Sequence, residues 1–304
     1  MRWLAGVVIV VSIFLSAWYV LNGDLVFHSD IARDFVLMEQ MVSERKLSLI
    51  GEGIRDIPGL YHGPAWLYVN LPAFIIGGGN PIVVGWGWIA LEMLFLYSIY
   101  WMSKRIFSLQ VGLIVTAIVA TKIPLFTHQL INPSGAFLLF PTFFYFLWRY
   151  SNDKKIVDLV IATILSGLLI QCEIVFGLPM FLSLALIVMF NVVNKSVKIT
   201  HVFSLIVILL PLSTYLVFDL RHNFVQVKTA WSYINGEHTG GWPLMNVVLN
   251  RVSEIWLSLG VLLGGSKWVN HGFSILFYFC LWRGIRTDNK NGFFSLYLFI
   301  SGYC

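Results

Sequence analysis

The feature that most constrains this chain is its series of apolar runs, several of them near the roughly 20 residues a helix needs to cross a bilayer. Trp3–Leu21 is the first. Val83–Met102, Leu109–Phe126, Gly135–Trp148, Ile156–Gln171, Phe176–Val193 and His201–Phe218 follow, and a further run ends near Leu281. In lipid a backbone has to satisfy its own hydrogen bonds, so runs of this kind are helices. Of the 304 residues, 58% are hydrophobic and only 12% charged, about half the charged share of an ordinary soluble domain. That balance argues against a water-soluble globule, because so much apolar surface must face lipid or another helix. The expected fold is all-α, a polytopic transmembrane helix bundle forming a single domain over residues 1–304. The last run, Phe293–Cys304, is about half the spanning length, and the chain stops inside it, so a C-terminal truncation is expected.

Trp3–Leu21 follows Arg2 as a signal peptide would, but it exceeds the usual h-region of about 7–15 residues and no small-residue cleavage pattern follows. It reads as a retained anchor. Cys172, Cys280 and Cys304 lie in or beside apolar runs and form no C-x-x-C pair, which points to packing. The net charge of +5 is not a nucleic-acid signal, since the basic residues are scattered at the ends of the runs.

Alternating spans place Arg2, Lys104 and Arg105, Arg149, Lys154 and Lys155, Lys195 and Lys198, and Arg283, Arg286 and Lys290 on one side. By the positive-inside rule that side is cytoplasmic, in a cell membrane crossed many times. The opposite side then receives a long first loop from Asn22 to about Pro81, a short one near Lys122–Ser134, and a long one from Asp219 to about Trp256. Glu173 and Gly177 either interrupt one run or separate two short helices. The inner connectors are short and basic, whereas the outer loops are long and mixed in chemistry, and such loops carry function when a rigid scaffold presents them.

Within the first outer loop, Ile31, Phe35, Met38 and Val42 recur at helical spacing, which predicts an amphipathic interfacial helix through about Arg45. Asp30 stands at its mouth, where it is either an N-cap or a general base toward a hydroxyl. Asp34 lies one turn on, roughly on the same face, as a partner for Arg33 or Arg45. Gly51–Gly59 reads as a turn-rich polar connector. Pro64 suits the first turn of a second interfacial helix, with Trp66 and Tyr68 at headgroup depth and Gly77-Gly78-Gly79-Asn80-Pro81 ending it. Arg55 and His62 would then lie near lipid phosphates.

A first span, an aspartate opening a surface helix, His62-Gly63-Pro64 before a second surface helix, then Gly-Gly-Asn-Pro and another span together resemble GT-C glycosyltransferases. The likeness is to the bacterial branch related to protein O-mannosyltransferases and lipid A aminoarabinose transferases. There the first segment reads roughly Asp-Glu-x-Arg-Tyr-Ala, and Asp30 and Arg33 match its first and fourth positions. Gln129-Leu130-Ile131-Asn132-Pro133-Ser134 resembles that family's third-to-fourth helix turn, and Phe218-Asp219-Leu220-Arg221-His222-Asn223-Phe224 a motif after its seventh helix. The resemblance implies a sugar donor on a polyprenyl phosphate, a lipid, glycan or protein acceptor, and transfer at the outer face with inversion. Asp30 maps to the base. Arg33, Arg55, His62, Arg221 and His222 become candidates for holding substrate, most of them for the donor phosphate.

The chain departs from the pattern in two places. Ile31 follows Asp30 where an acidic pair is usual, and Asn132 stands where some members carry an acid, so that Glu173 or Asp34 would have to substitute. Metal use varies in the superfamily. His28 and Asp30 are the candidate pair for a divalent ion, and no dense ligand cluster accompanies them. A transporter or flippase and a non-catalytic membrane subunit are the competing classes. Transporters place ionisable residues at the bilayer midplane and often repeat internally. Here Glu92 is the main acid deep in a span and no repeat is visible; the plainer reading of Glu92 is a partner on a neighbouring helix.

Overall fold

A computed structural model describes residues 2–54, 57–127 and 131–234. The chain divides into two compact units, Met1–Gln226 and Val227–Cys304; the second is described only as far as residue 234. Among the described residues every regular element is a helix: α1 (Arg2–Leu21), α2 (Ser29–Glu44), α3 (Ala65–Ile76), α4 (Pro81–Ile106), α5 (Leu109–Ala120), α6 (Ile123–Phe126), α7 (Asn132–Asp153), α8 (Ile156–Cys172), α9 (Ile174–Val193), α10 (Thr200–Ser204), α11 (Ser213–Arg221) and α12 (Val225–Ile234). Three of these, α1, α4 and α9, are long and apolar enough to cross a membrane, and a fourth is added if the bent pair Thr200–Leu209 and Ser213–Arg221 is one span. The expected runs beyond residue 234, including the one ending near Leu281 and Phe293–Cys304, lie outside the described residues.

The structure corrects the expected spans in two places. Leu109–Phe126 is not one helix, because it breaks between Ala120 and Ile123. His201–Phe218 is also broken. Thr200–Leu209, whose second half winds as a 3₁₀ helix, meets Ser213–Arg221 at 60°. Pro211 lies at that break, where its missing N–H and ring prevent an α-helix from continuing. Between Ile156 and Val193 the separation is at Glu173, which ends α8 and caps α9 by accepting the Val175 N–H at 3.3 Å. Gly177 does not break α9. An added Cβ there would lie 2.2 Å from the Ile170 nitrogen, so its role is to let α9 fold back closely against the end of α8. The stretch after Asp219, expected as loop, contains α12.

Helix boundaries follow local chemistry. Gly77 closes α3, and Gly78 (φ 55°) and Gly79 (φ 83°) turn the chain through the left-handed region. Asn80 then caps α4 by accepting the Ile82 N–H at 2.9 Å, with Pro81 at the first helical position. Consecutive helices α4–α5, α7–α8 and α8–α9 pack side by side. Lys104 and Arg105, Lys154 and Lys155, and Lys195 and Lys198 therefore fall at one end of the helices. The segment 22–80, the start of α7 and the end of α8 fall at the other. At the basic end Arg149 pairs with buried Asp158 at 3.3 Å across the α7–α8 turn.

Helices α2, α3 and the start of α4 share a core of Ile31, Met38, Met41, Trp66, Leu67, Phe74, Val84 and Trp88. Trp66, expected at headgroup depth, is buried there. The buried stripe of α2 is Ile31, Asp34, Met38 and Met41, rotated from the expected one, and Val42 is exposed. Glu92, also buried, lies against the hydroxyls of Ser16 on α1 and Thr127 beyond α6, in line with the plainer reading of that residue.

Gly177→Ala is expected to lower stability by about 1–3 kcal/mol despite alanine's better helix propensity, because the added methyl meets backbone. Gly6→Ala, whose Cβ position meets nothing within 4 Å, should leave melting unchanged or slightly raised. Equal melting of the two variants in detergent would contradict this packing.

Candidate functional site

Two parts of the segment between α2 and α3 fold against each other. Residues 51–54 and 60–62 run antiparallel: Gly51 N–H donates to His62 O at 2.8 Å, His62 N–H to Glu52 O at 2.9 Å, and Ile54 N–H to Leu60 O at 2.9 Å. Gly51 permits so close an approach, since a Cβ there would lie 2.6 Å from the Gly63 carbonyl oxygen. Asp30 and Arg33 on the first turns of α2, Glu52 to Ile54, His62, and Ile131 and Pro133 at the start of α7 line one cavity of about 240 Å³.

Arg33 organises its polar wall. Its guanidinium pairs with the Asp30 carboxylate one turn back, and its Nε lies 3.0 Å from Glu52 Oε2. Asn132, at the start of α7, donates from Nδ2 to Glu52 Oε1 at 3.5 Å. Glu52, passed over in the sequence as part of a turn, is thus the second carboxylate of this cavity. Asp30 is not the N-cap of α2: His28 takes that place, its Nδ1 accepting the Asp30 N–H at 3.2 Å. Burial pushes the Asp30 carboxyl up, but the hydrogen bond and charge of Arg33, with Ser29 and His28, outweigh it and hold its pKa below the usual value.

Asp34 differs from expectation. It forms no ion pair with Arg33 or Arg45 and turns inward, 5% exposed, into the α2–α3–α4 core among Ile31, Trp66, Asn70 and Trp88. Its Oδ1 has no hydrogen-bond partner. Burial pushes its pKa to about 8, helped by the Glu52 and Asp30 charges and opposed by Arg33. At neutral pH this carboxyl holds its proton. It underlies the site without lining the cavity.

His62 is half-buried, with its Nδ1 unpartnered. Burial lowers its pKa, and Arg33 lowers it further, while Glu173 and Asp30 act the other way. The ring is therefore neutral at pH 7. Arg55 lies outside the described residues. Arg221 and His222 are not on the cavity wall. His222 donates from Nδ1 to the Phe218 carbonyl, 2.8 Å away, and stacks on the Phe218 ring. That ring meets Tyr61 edge-on. Buried Asp219 accepts the Gln226 N–H at 2.9 Å, and Gln226 Oε1 accepts the Tyr61 N–H at 3.2 Å. The Phe218–Phe224 segment and Gln226 thus brace Tyr61, the residue before His62.

His28 Nδ1 accepts the Asp30 N–H and lies 3.9 Å from Asp30 Oδ2. Among the described residues no group of three or more His, Cys, Asp or Glu is placed to hold a metal ion. Sequence reasoning also missed Gln171. Its only signal was a polar residue at the end of an apolar run. Compared with protein-family models, curated proteins and solved structures, the chain has no match.

The Asp34 pKa fixes a pH dependence. The folded form keeps a proton that the unfolded chain loses near pH 4, so stability falls as pH rises from about 4 toward 8 and is level above. Asp34→Asn removes that slope. Its melting temperature should exceed wild type by an amount that grows between pH 5 and pH 8. A gap independent of pH would contradict the buried, protonated assignment.

Proposed function

We propose that this chain is a multi-pass membrane glycosyltransferase of GT-C type, moving a sugar from a polyprenyl-phosphate donor to an acceptor hydroxyl at the outer membrane face. The observation that carries the reading is the gathering of Asp30, Arg33, Glu52 and His62 around one cavity at the end of the helices opposite the basic connectors. A donor whose lipid stays in the bilayer presents its phosphate and sugar at that depth. The basic connectors belong on the cytoplasmic side by the positive-inside rule, which gives the cavity the outer side and the N-terminus the inner.

The chemistry is a single displacement. The acceptor oxygen bonds to the anomeric carbon while the bond from that carbon to the phosphate oxygen breaks, and polyprenyl phosphate departs with inversion. The acceptor proton passes to Asp30. A carboxylate with a lowered pKa is a weak base. It suffices when the leaving phosphate is well advanced, because the hydroxyl becomes acidic only as its new bond forms. Arg33, already forked between two carboxylates, has the planar donor set to turn toward the leaving phosphate, and neutral His62 supplies a hydrogen bond rather than a charge. Glu52 keeps Arg33 in place and limits how far it moves. The electrostatic benefit is greatest in such a partly dry cavity.

The test is transfer of label from radiolabelled polyprenyl-phosphate sugars in membranes into lipid, glycan and protein fractions. Asp30→Asn at equal expression should reduce transfer by about 10²-fold or more, and Arg33→Ala by a similar factor. Transfer unaffected by Asp30→Asn would remove it from the mechanism. Transfer from no donor would favour a transporter or a non-catalytic subunit.

A further inference from the structure

Gln171, at the last turn of α8, bonds to two separate segments of the fold, residues 63–65 and residues 211–214. It is 4% exposed. Its main-chain carbonyl accepts the Gly63 N–H at 2.8 Å, and its Oε1 accepts the Ala65 N–H at 3.1 Å. Its Nε2 donates to the Pro211 carbonyl and lies 3.2 Å from Thr214 Oγ1. Residue 63 must be glycine for this contact, since a Cβ there would come within 2.7 Å of the Gln171 Cβ.

We infer that Gln171 is the positioning residue of the site, holding the His62–Ala65 turn in register and fastening it to the break between α10 and α11; this rests on the reading that His62 serves the transfer reaction. The His62 side chain has no hydrogen bond of its own at Nδ1, and Pro64 contributes no N–H. The main chain of His62 is held on one side by Gly51 and Glu52; the turn that follows is held at residues 63 and 65, and both of those amides end on Gln171. On the other side, a helix broken by 60° leaves carbonyls without intrahelical partners, and the Pro211 carbonyl receives the Gln171 amide. Only a side chain with an acceptor and a donor at the same distance from the backbone serves both sides. Glutamate keeps the acceptor and loses the donor. Leucine keeps the shape and loses both.

The experiment combines amide exchange of residues 61–68 and 208–216 with steady-state kinetics, on the full chain in lipid nanodiscs, for wild type, Gln171→Leu and Gln171→Glu. Gln171→Leu should speed exchange at Ala65 about tenfold and loosen 211–214. It should lower kcat about tenfold while the donor KM changes less than about twofold. Gln171→Glu should leave Ala65 protected and loosen 211–214 alone. Unchanged Ala65 exchange in Gln171→Leu would overturn the anchoring. A loss carried entirely by KM would overturn the positioning role. If the wild type transfers no sugar, the glycosyltransferase reading falls while the exchange comparison still decides whether Gln171 anchors the turn. If Gln171→Leu fails to fold, the isosteric glutamate variant carries the same decision: protection lost at both segments, or at neither, contradicts the division of labour between Oε1 and Nε2.

Discussion

The rest of the structure depends on how closely α8 is packed. Its buried positions include Ala162, Thr163, Ser166 and Gly167 as well as the larger Leu159, Leu169 and Ile170. Small side chains let neighbouring backbones approach, which is how helices associate where lipid supplies no hydrophobic drive between them. At its far end α9 folds back at Gly177, and the His62 turn settles at Gly63, each against backbone or Cβ atoms of α8. The polar segment ending at His62 is thus seated closely on α8. Side chains meant to act on a substrate gain from such seating, because a small displacement of a reacting group costs much of its effect.

The second organising element is a charge balance. Three acids, Asp30, Asp34 and Glu52, interact with Arg33, and the fold settles the excess in two ways. It keeps Asp34 in an apolar core where it stays protonated, and it bridges Asp30 and Glu52 with one guanidinium. Removal of Arg33 would leave two carboxylates facing one another in a partly buried cavity, the arrangement that forces one of them to take a proton. The guanidinium therefore shapes the site before any substrate arrives, and a phosphate competing for it has to be matched against two carboxylates.

Much of the helical framework was legible because its signals are local. The helix from Ala65, its stop at Gly77–Gly79 and the restart at Asn80-Pro81 follow from proline, glycine and capping chemistry alone. The buried face of α2 was read one residue out of phase, since Ile31 and Met38 belong equally to a stripe with Phe35 and Val42 or to one with Asp34 and Met41. Tertiary packing against Trp66 and Trp88 chooses the second. The bend at Pro211 was signalled by the proline, but an apolar run of spanning length masked it. Glu52 could not be weighed in sequence because its partners come from α2, from the segment ending at His62 and from the start of α7. Gln171 was equally silent, since all its bonds are to distant segments.

Central to the account is that the cavity and the basic connectors lie on opposite membrane faces. Single cysteines at Lys46 and, separately, at Lys104 and Lys198, all exposed, in a chain whose native cysteines are replaced, would be treated with a membrane-impermeant thiol reagent in intact cells. The account predicts that residue 46 is labelled from outside, and that 104 and 198 react only after the membrane is opened. Labelling of 104 or 198 in intact cells with 46 protected, or labelling of all three, would contradict it.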